Sequence, residues 1–317
     1  MQTSSGGAAR GPLVLVTGAS SGVGLATALR LARQGRRLAL LARGEGPLER
    51  AAEQCRAVGA PWVGPLAVDV RDDAAVGNAV RELTASQGPL DAVVSSAGVV
   101  AYGRLDELPA ATFDGVVATN LLGSANVLRH TLPGMRGAGA GAVVLVGSMI
   151  GHIAVPTMSA YTVSKWGVRA LARQAALENR DVPGLHVSYV SLPGVDTPIY
   201  RQAAYVGGPA GRPPPVVWSA DKAARVVVRA LDRSRPVVHG GAFDGVTRLG
   251  FTLLPRVYDA WVGPLFDRFA SDPSTHLPAQ EGNVERSVPE GNRLGGGHGS
   301  GLRAAFSTVA GLLRRRG

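Results

Sequence analysis

The sequence predicts an α/β fold: a doubly wound parallel sheet of about seven strands with helices on both faces, followed by a C-terminal helical extension. Three observations predict it. Short, continuously apolar runs recur along the chain, they alternate with longer amphipathic stretches, and a glycine-rich turn joins the first such pair. Unbroken apolar runs are what parallel strands show when both faces are covered. Strand and helix in alternation then give one sheet wrapped by crossover helices.

The runs at 13–17, 38–42, 63–68, 92–95, 142–147 and 186–192 read as buried strands, and 237–239 adds a seventh. Helical patterns occupy 23–34, 47–58, 73–87, 111–132, 159–179 and 220–234. One domain therefore spans 11–240, behind a flexible N-terminus at 1–10. Residues 241–270 are an apolar, aromatic extension that Pro255 and Pro264 break into short helices. It either frames a substrate entrance or forms a second apolar surface, and its many aromatics favour burial near the entrance. Residues 271–301, rich in Gly, Ser, Pro and charge, read as a flexible linker. The last segment, 302–317, is a basic amphipathic helix with Leu302, Phe306, Val309 and Leu313 on one stripe. It lies on an anionic membrane surface or docks on the domain; both readings stay open.

Composition narrows the function. The chain of 317 residues is 45% hydrophobic and 18% charged, which excludes wholesale disorder. A single cysteine, Cys55, excludes an internal disulfide and a multi-thiolate metal site. The six histidines are scattered without metal-ligand spacing, so no metal is expected. The net charge of +10 rests on arginines spread along the chain, mostly singly, and only 5% of residues are aromatic. That distribution argues against nucleic acid, whose binders concentrate charge on one element. The N-terminus has no apolar signal core and no run reaches a membrane span, so a cytoplasmic, at most membrane-peripheral, protein is expected.

Two constellations carry chemistry. The first strand runs into Thr17-Gly18-Ala19-Ser20-Ser21-Gly22-Val23-Gly24, which opens the first helix. Glycines there let the backbone turn and approach a pyrophosphate, while the helix N-terminus offers free N–H groups. The second is Tyr161 and Lys165, four apart and so on one helical face, with Ser148 thirteen residues upstream at a strand end. A free phenol titrates near 10; an adjacent ammonium brings it toward the working range. Ser148 can then hydrogen-bond a substrate oxygen while Tyr161 exchanges its proton.

Together these residues resemble the short-chain dehydrogenase/reductase family over roughly 11–240. The matching motifs are TGASSGVG at 17–24, Asp69-Val70, SSAG at 95–98, Asn120, Ser148, YTVSK at 161–165 and PGVDT at 193–197. The resemblance implies a Rossmann-type fold and a proton-relay tetrad of Asn120, Ser148, Tyr161 and Lys165. It also implies that Lys165 binds the nicotinamide ribose and that Asn120 bends its helix. A dinucleotide would be held by Gly18, Ser20, Ser21, Gly22, Val23 and Gly24, with Asp69 and Val70 at the adenine. Ala97 and Gly98 would line the same site, and Pro193, Gly194 and Thr197 would flank the nicotinamide. One departure is Ser95-Ser96 where the family commonly carries two asparagines, which bears on local bracing rather than catalysis.

The second strand ends Ala42-Arg43, with no acid to repel a 2′-phosphate. Arg43 can pair with that phosphate, so NADP (NADPH) is expected over NAD; the plainer alternative is an arginine at a strand exit. Met149, Ile150, Ile153, Val155 and Met158 form an apolar wall or ordinary core, and 198–217 would be a mobile lid. His152 reads as a rim histidine rather than a substrate contact. The expected activity is NADP-dependent interconversion of a hydrophobic secondary alcohol and a ketone or aldehyde. The other classes are a dinucleotide sensor without chemistry and a membrane-associated scaffold. The resemblance also implies a homodimer or homotetramer paired through helices 111–132 and 159–179, where Ala170, Ala172, Ala175 and Ala176 would let the helices approach closely.

Overall fold

The computed structural model describes residues 11–214, 217–233, 236–239 and 242–297. The first half runs β1 (Leu13–Thr17), α1 (Gly22–Arg33), β2 (Arg37–Ala42), α2 (Glu45–Ala57), β3 (Val63–Ala67), α3 (Asp73–Gln87) and β4 (Ala92–Ser95). The second runs α4 (Ala110–Val117), α5 (Gly123–Ala138), β5 (Ala140–Val146), α6 (Ser159–Glu178), β6 (Gly184–Ser191), α7 (Ala220–Asp232) and β7 (Val237–His239). All seven strands are parallel, in the order β7-β6-β5-β4-β1-β2-β3.

Strand β1 shows why the sheet is apolar throughout. Val14 and Val16 pack on one face beside residues of α1, α2 and α7. Leu13 and Leu15 point to the other, among residues of α3, α5 and α6. Alternate side chains thus enter two separate cores, so both faces of the strand are predominantly apolar. The connections leave β1 in opposite directions, toward β2 and toward β4, opening a crevice at their carboxyl ends.

Helix N-termini differ at that edge. Asp72 caps α3 by accepting from the Ala75 N–H at 2.9 Å, and Ser219 caps α7 by accepting from the Lys222 N–H at 3.2 Å. Helix α1 has no side-chain cap, so its first N–H groups face the crevice.

Beyond the sheet, the structure corrects two expectations. Pro255 is the first residue of α9 (Pro255–Phe269), where a missing N–H costs nothing, and Pro264 lies within that one helix. Helix α8 (Ala242–Leu253) precedes it. Phe251 and Phe266 turn inward, but Leu249, Leu253, Leu254, Val257 and Trp261 are exposed, Trp261 by 62%. The extension is therefore only partly buried, because the helix pair meets the domain along one side. The second correction concerns 271–301. Ser271–Leu277 is a strand antiparallel to Gly208–Gly211. Further on, Tyr205 and Gln280 exchange backbone hydrogen bonds of 2.8 and 2.9 Å, and Asn283 N–H donates to the Gln202 carbonyl at 2.8 Å. Val284 is 1% exposed within an apolar cluster with Val99, Val116 and Ala160. Main-chain pairing anchors this segment, and composition does not display main-chain pairing. The expected helix at 302–317 and the N-terminus at 1–10 lie outside the described residues. Among the described residues, no helix is long and apolar enough to cross a membrane.

Candidate active site

A cleft of about 330 Å³ follows the carboxyl edge of the sheet from the glycine turn to Tyr161. Its floor is built for close backbone approach. Gly18 has φ +65°, and a Cβ there would lie 2.9 Å from the Ala97 backbone. A Cβ on Gly24 would lie 2.2 Å from the Gly18 carbonyl oxygen. Thr17 braces the opposite wall, its Oγ1 accepting from the N–H groups of Ser96 at 3.0 Å and Ala97 at 3.1 Å. Ser95 Oγ donates to Ser124 Oγ at 3.1 Å, so the serines replacing the family's asparagines still brace the wall.

At the far end the relay residues converge. The Tyr161 hydroxyl hydrogen-bonds Ser148, and Lys165 Nζ lies 5.6 Å from the Tyr161 ring centre. Lys165 is 6% exposed and donates to the Val146 carbonyl at 3.1 Å. Asn120 sits in a π-helical turn, Ala118–Leu122, between α4 and α5. Its Oδ1 accepts from Val99 N–H at 2.8 Å, and its Nδ2 donates to Val99 O at 3.0 Å and Ser164 Oγ at 2.9 Å. The side chain stitches this turn to the backbone of Val99, in the loop that follows β4.

The electrostatics correct one expectation. Burial holds the Lys165 ammonium down to about 8 and pushes the Tyr161 phenol up to about 12, the Ser148 bond opposing the second shift. Burial is the dominant influence on the phenol, and the ammonium is turned to the Val146 carbonyl. A phenol so raised keeps its proton until a stronger base, such as an alkoxide, forms beside it.

The expected cofactor residues divide. Gly18, Ser20, Ser21, Gly22, Val23, Gly24, Arg43, Val70, Ala97, Gly98, Pro193, Gly194 and Thr197 line the cleft, as do Ser148, Tyr161 and Lys165. Asp69 is not among the lining residues; its carboxylate is paired with Arg71 at 2.8 Å. Arg43 faces the cleft, but its guanidinium donates to the carbonyls of Asn283 and Val284. Glycine floor, a helix terminus without a side-chain cap and a cation at the end of β2 fit a dinucleotide.

The other end is apolar. Tyr102, Ile150, Val155, Met158, Ile199, Tyr200 and Phe266 line it. Ile153 and His152 are buried behind this wall, His152 against the edges of Tyr189 and His239. Tyr189 is a residue that motif reading missed. Its hydroxyl donates to the Ser148 carbonyl at 2.8 Å and accepts from the Ser148 N–H at 3.1 Å, fixing the serine's backbone. Only the glycines at 147 and 151, which leave the tyrosine room, hinted at it.

The chain is similar to known proteins in sequence and fold. A 3-dehydrosphinganine reductase of Arabidopsis thaliana is 33% identical over 192 residues, 60% of this chain and 56% of that protein, so the match spans little more than half of the relative. An uncharacterized NAD-dependent oxidoreductase of Mycobacterium tuberculosis is 36% identical over 63% of this chain and 78% of its own length. An alcohol dehydrogenase from the archaeon Thermococcus sibiricus, solved with 5-hydroxy-NADP, superposes with a TM-score of 0.63 at 28% identity, covering 72% of this chain and 95% of that one. The profile of the short chain dehydrogenases matches residues 12–204, the stretch that holds the glycine turn, the Asn120 turn and the Ser148–Tyr161–Lys165 cluster. By its sequence, and in keeping with its sheet order, the chain belongs to the short-chain dehydrogenase family.

Proposed function

We propose that this protein is an NADP-dependent oxidoreductase interconverting a hydrophobic secondary alcohol and its ketone, or an aldehyde. The observation that carries the reading is the hydrogen-bonded Tyr161–Ser148 pair at the junction of the glycine-floored cleft and an apolar chamber. A bound nicotinamide dinucleotide supplies or accepts the hydride. Ser148 Oγ orients the substrate oxygen, and the Tyr161 hydroxyl gives it a proton as alkoxide character develops. Lys165 adds positive charge beside the phenolate so formed, and Asn120 holds the neighbouring backbone in place. A sensor without chemistry has no use for this relay. Support for NADP over NAD is the absence of an acid at the end of β2 and the presence of Arg43 on the cleft.

NADPH oxidation with a panel of lipophilic ketones and aldehydes tests the reading. Turnover with these and not with short polar ketones is expected; turnover with NADH alone would overturn the cofactor choice.

The exposed apolar face of α8 and α9 beside the pocket supports contact with a lipid surface, and co-sedimentation with anionic vesicles tests it. For assembly, Leu122 on the α4–α5 junction and Val163 on α6 are exposed, which supports pairing across these helices. Ala172 and Ala175 are not available to it, since both are buried in the chain's own core. Light scattering should show at least a dimer.

A further inference from the structure

Residues 283–293 cross the cleft and meet several of the residues expected to hold the dinucleotide. The Arg43 guanidinium, at the end of β2, donates to the carbonyls of Asn283 and Val284. Arg71, beside Asp69 and Val70, pairs with the Glu285 carboxylate at 3.2 Å. Asn292 Nδ2 donates to Ser20 Oγ at 3.3 Å, and the Gly22 N–H, first in α1, donates to the Arg293 carbonyl at 2.9 Å. Asn283, Ser287, Val288 and Asn292 line the same cleft.

We propose that residues 283–293 are an intramolecular competitor for the dinucleotide, occupying with their own oxygens the groups that would bind its phosphates. The chemistry of the contacts separates competition from a clamp. A clamp would close over a bound phosphate while leaving Arg43 and the α1 amide free to hold it. Here both of these donors are spent on carbonyls, and a carbonyl oxygen occupies an anion site as a phosphate oxygen does. The dinucleotide binds only the fraction of molecules in which the segment has lifted, which lowers its apparent affinity by that fraction. The anchor at Gln280, Asn283 and Val284 keeps the released portion close to the cleft. This inference rests on the dinucleotide reading above.

The test uses the full chain, with hydrogen–deuterium exchange and calorimetric titration of NADP+ and of adenosine 2′,5′-bisphosphate. Saturating NADP+ should raise exchange across 285–293 while lowering it at 18–25. A Glu285→Ala, Asn292→Ala double variant should bind both probes about threefold to thirtyfold tighter, the effect of losing one half-exposed ion pair and one hydrogen bond from the closed form. The Glu285 side chain is half-exposed, and an unchanged melting temperature identifies a folded variant. Binding accompanied by lower exchange across 285–293, or weaker binding by the variant, would overturn competition and leave the dinucleotide site standing. No binding of either probe by either protein would overturn both.

Discussion

Residues 11–214 and residues 271–297 are held in the molecule by different means. The first region buries apolar side chains on both sheet faces, so that Leu15 and Val16 of one strand belong to two cores. The second is held chiefly by main-chain pairing, with Val284 as its buried anchor and Arg71–Glu285 as a half-exposed latch. A side-chain core is lost only on unfolding. Main-chain contacts at a cleft rim are exchangeable for ligand contacts of the same kind at little net cost. The difference teaches that the scaffold fixes the relay, while the C-terminal segment is placed to govern access to it.

The largest effect expected is on the scaffold side. Tyr161→Phe should lower the rate by at least about 100-fold while dinucleotide affinity, measured by calorimetry, stays near wild type. A variant keeping more than about a tenth of the rate would remove Tyr161 from the proton path.

Next comes the stability of the relay itself. The folded-state depression of Lys165 to about 8 means that its contribution is fully present only above the unfolded value near 10.5 and is lost as pH falls through 8. The raised Tyr161 works the other way, its contribution being present below about 10 and lost as pH rises through 12. The buried Cys55 thiol and the buried tyrosines pull the other way above pH 9 and 10, so the lysine is read as a difference: between pH 8 and 10.5 the ligand-free protein should gain roughly 3 kcal/mol relative to Lys165→Met. An unchanged slope in the variant would mean that another group titrates there.

Arg43 joins the two regions, so its removal sharpens the contrast. Arg43→Ala should weaken NADPH about tenfold to hundredfold, as expected for a charge-assisted contact. NADH binding should hold or tighten, because the variant also frees the carbonyls of Asn283 and Val284. Equal losses for both cofactors would show that Arg43 acts through folding. The smallest effect is at Tyr189. Tyr189→Phe removes the clamp on Ser148 and should cost about 1–3 kcal/mol of stability and roughly tenfold in kcat, with the dinucleotide KM unchanged.

The same contrast explains what could be read in advance. The strands, the glycine turn and the Ser148, Tyr161 and Lys165 cluster are legible because each needs particular side chains at particular spacings. Gly24, for example, admits no Cβ at all. The strap at 283–293 is not legible, since its contacts to Arg43 and Gly22 run through carbonyls that every residue possesses. Tyr189 reads as one more apolar strand residue until the fold places its hydroxyl on Ser148. The direction of the Tyr161 shift also escapes the motif, because the four-residue spacing sets the proximity of Lys165 but not its turn toward Val146.

Isotope transfer tests hydride chemistry at this cleft most directly. NADPH deuterated on the reactive nicotinamide carbon is incubated with the full-length protein and a lipophilic ketone, and the alcohol formed is analysed by mass spectrometry. Deuterium at the carbinol carbon with the wild-type chain, and its near absence with Tyr161→Phe, is the expected result. Labelled alcohol at equal rates from both proteins would contradict the assignment of Tyr161, and no label from either would contradict the oxidoreductase reading itself.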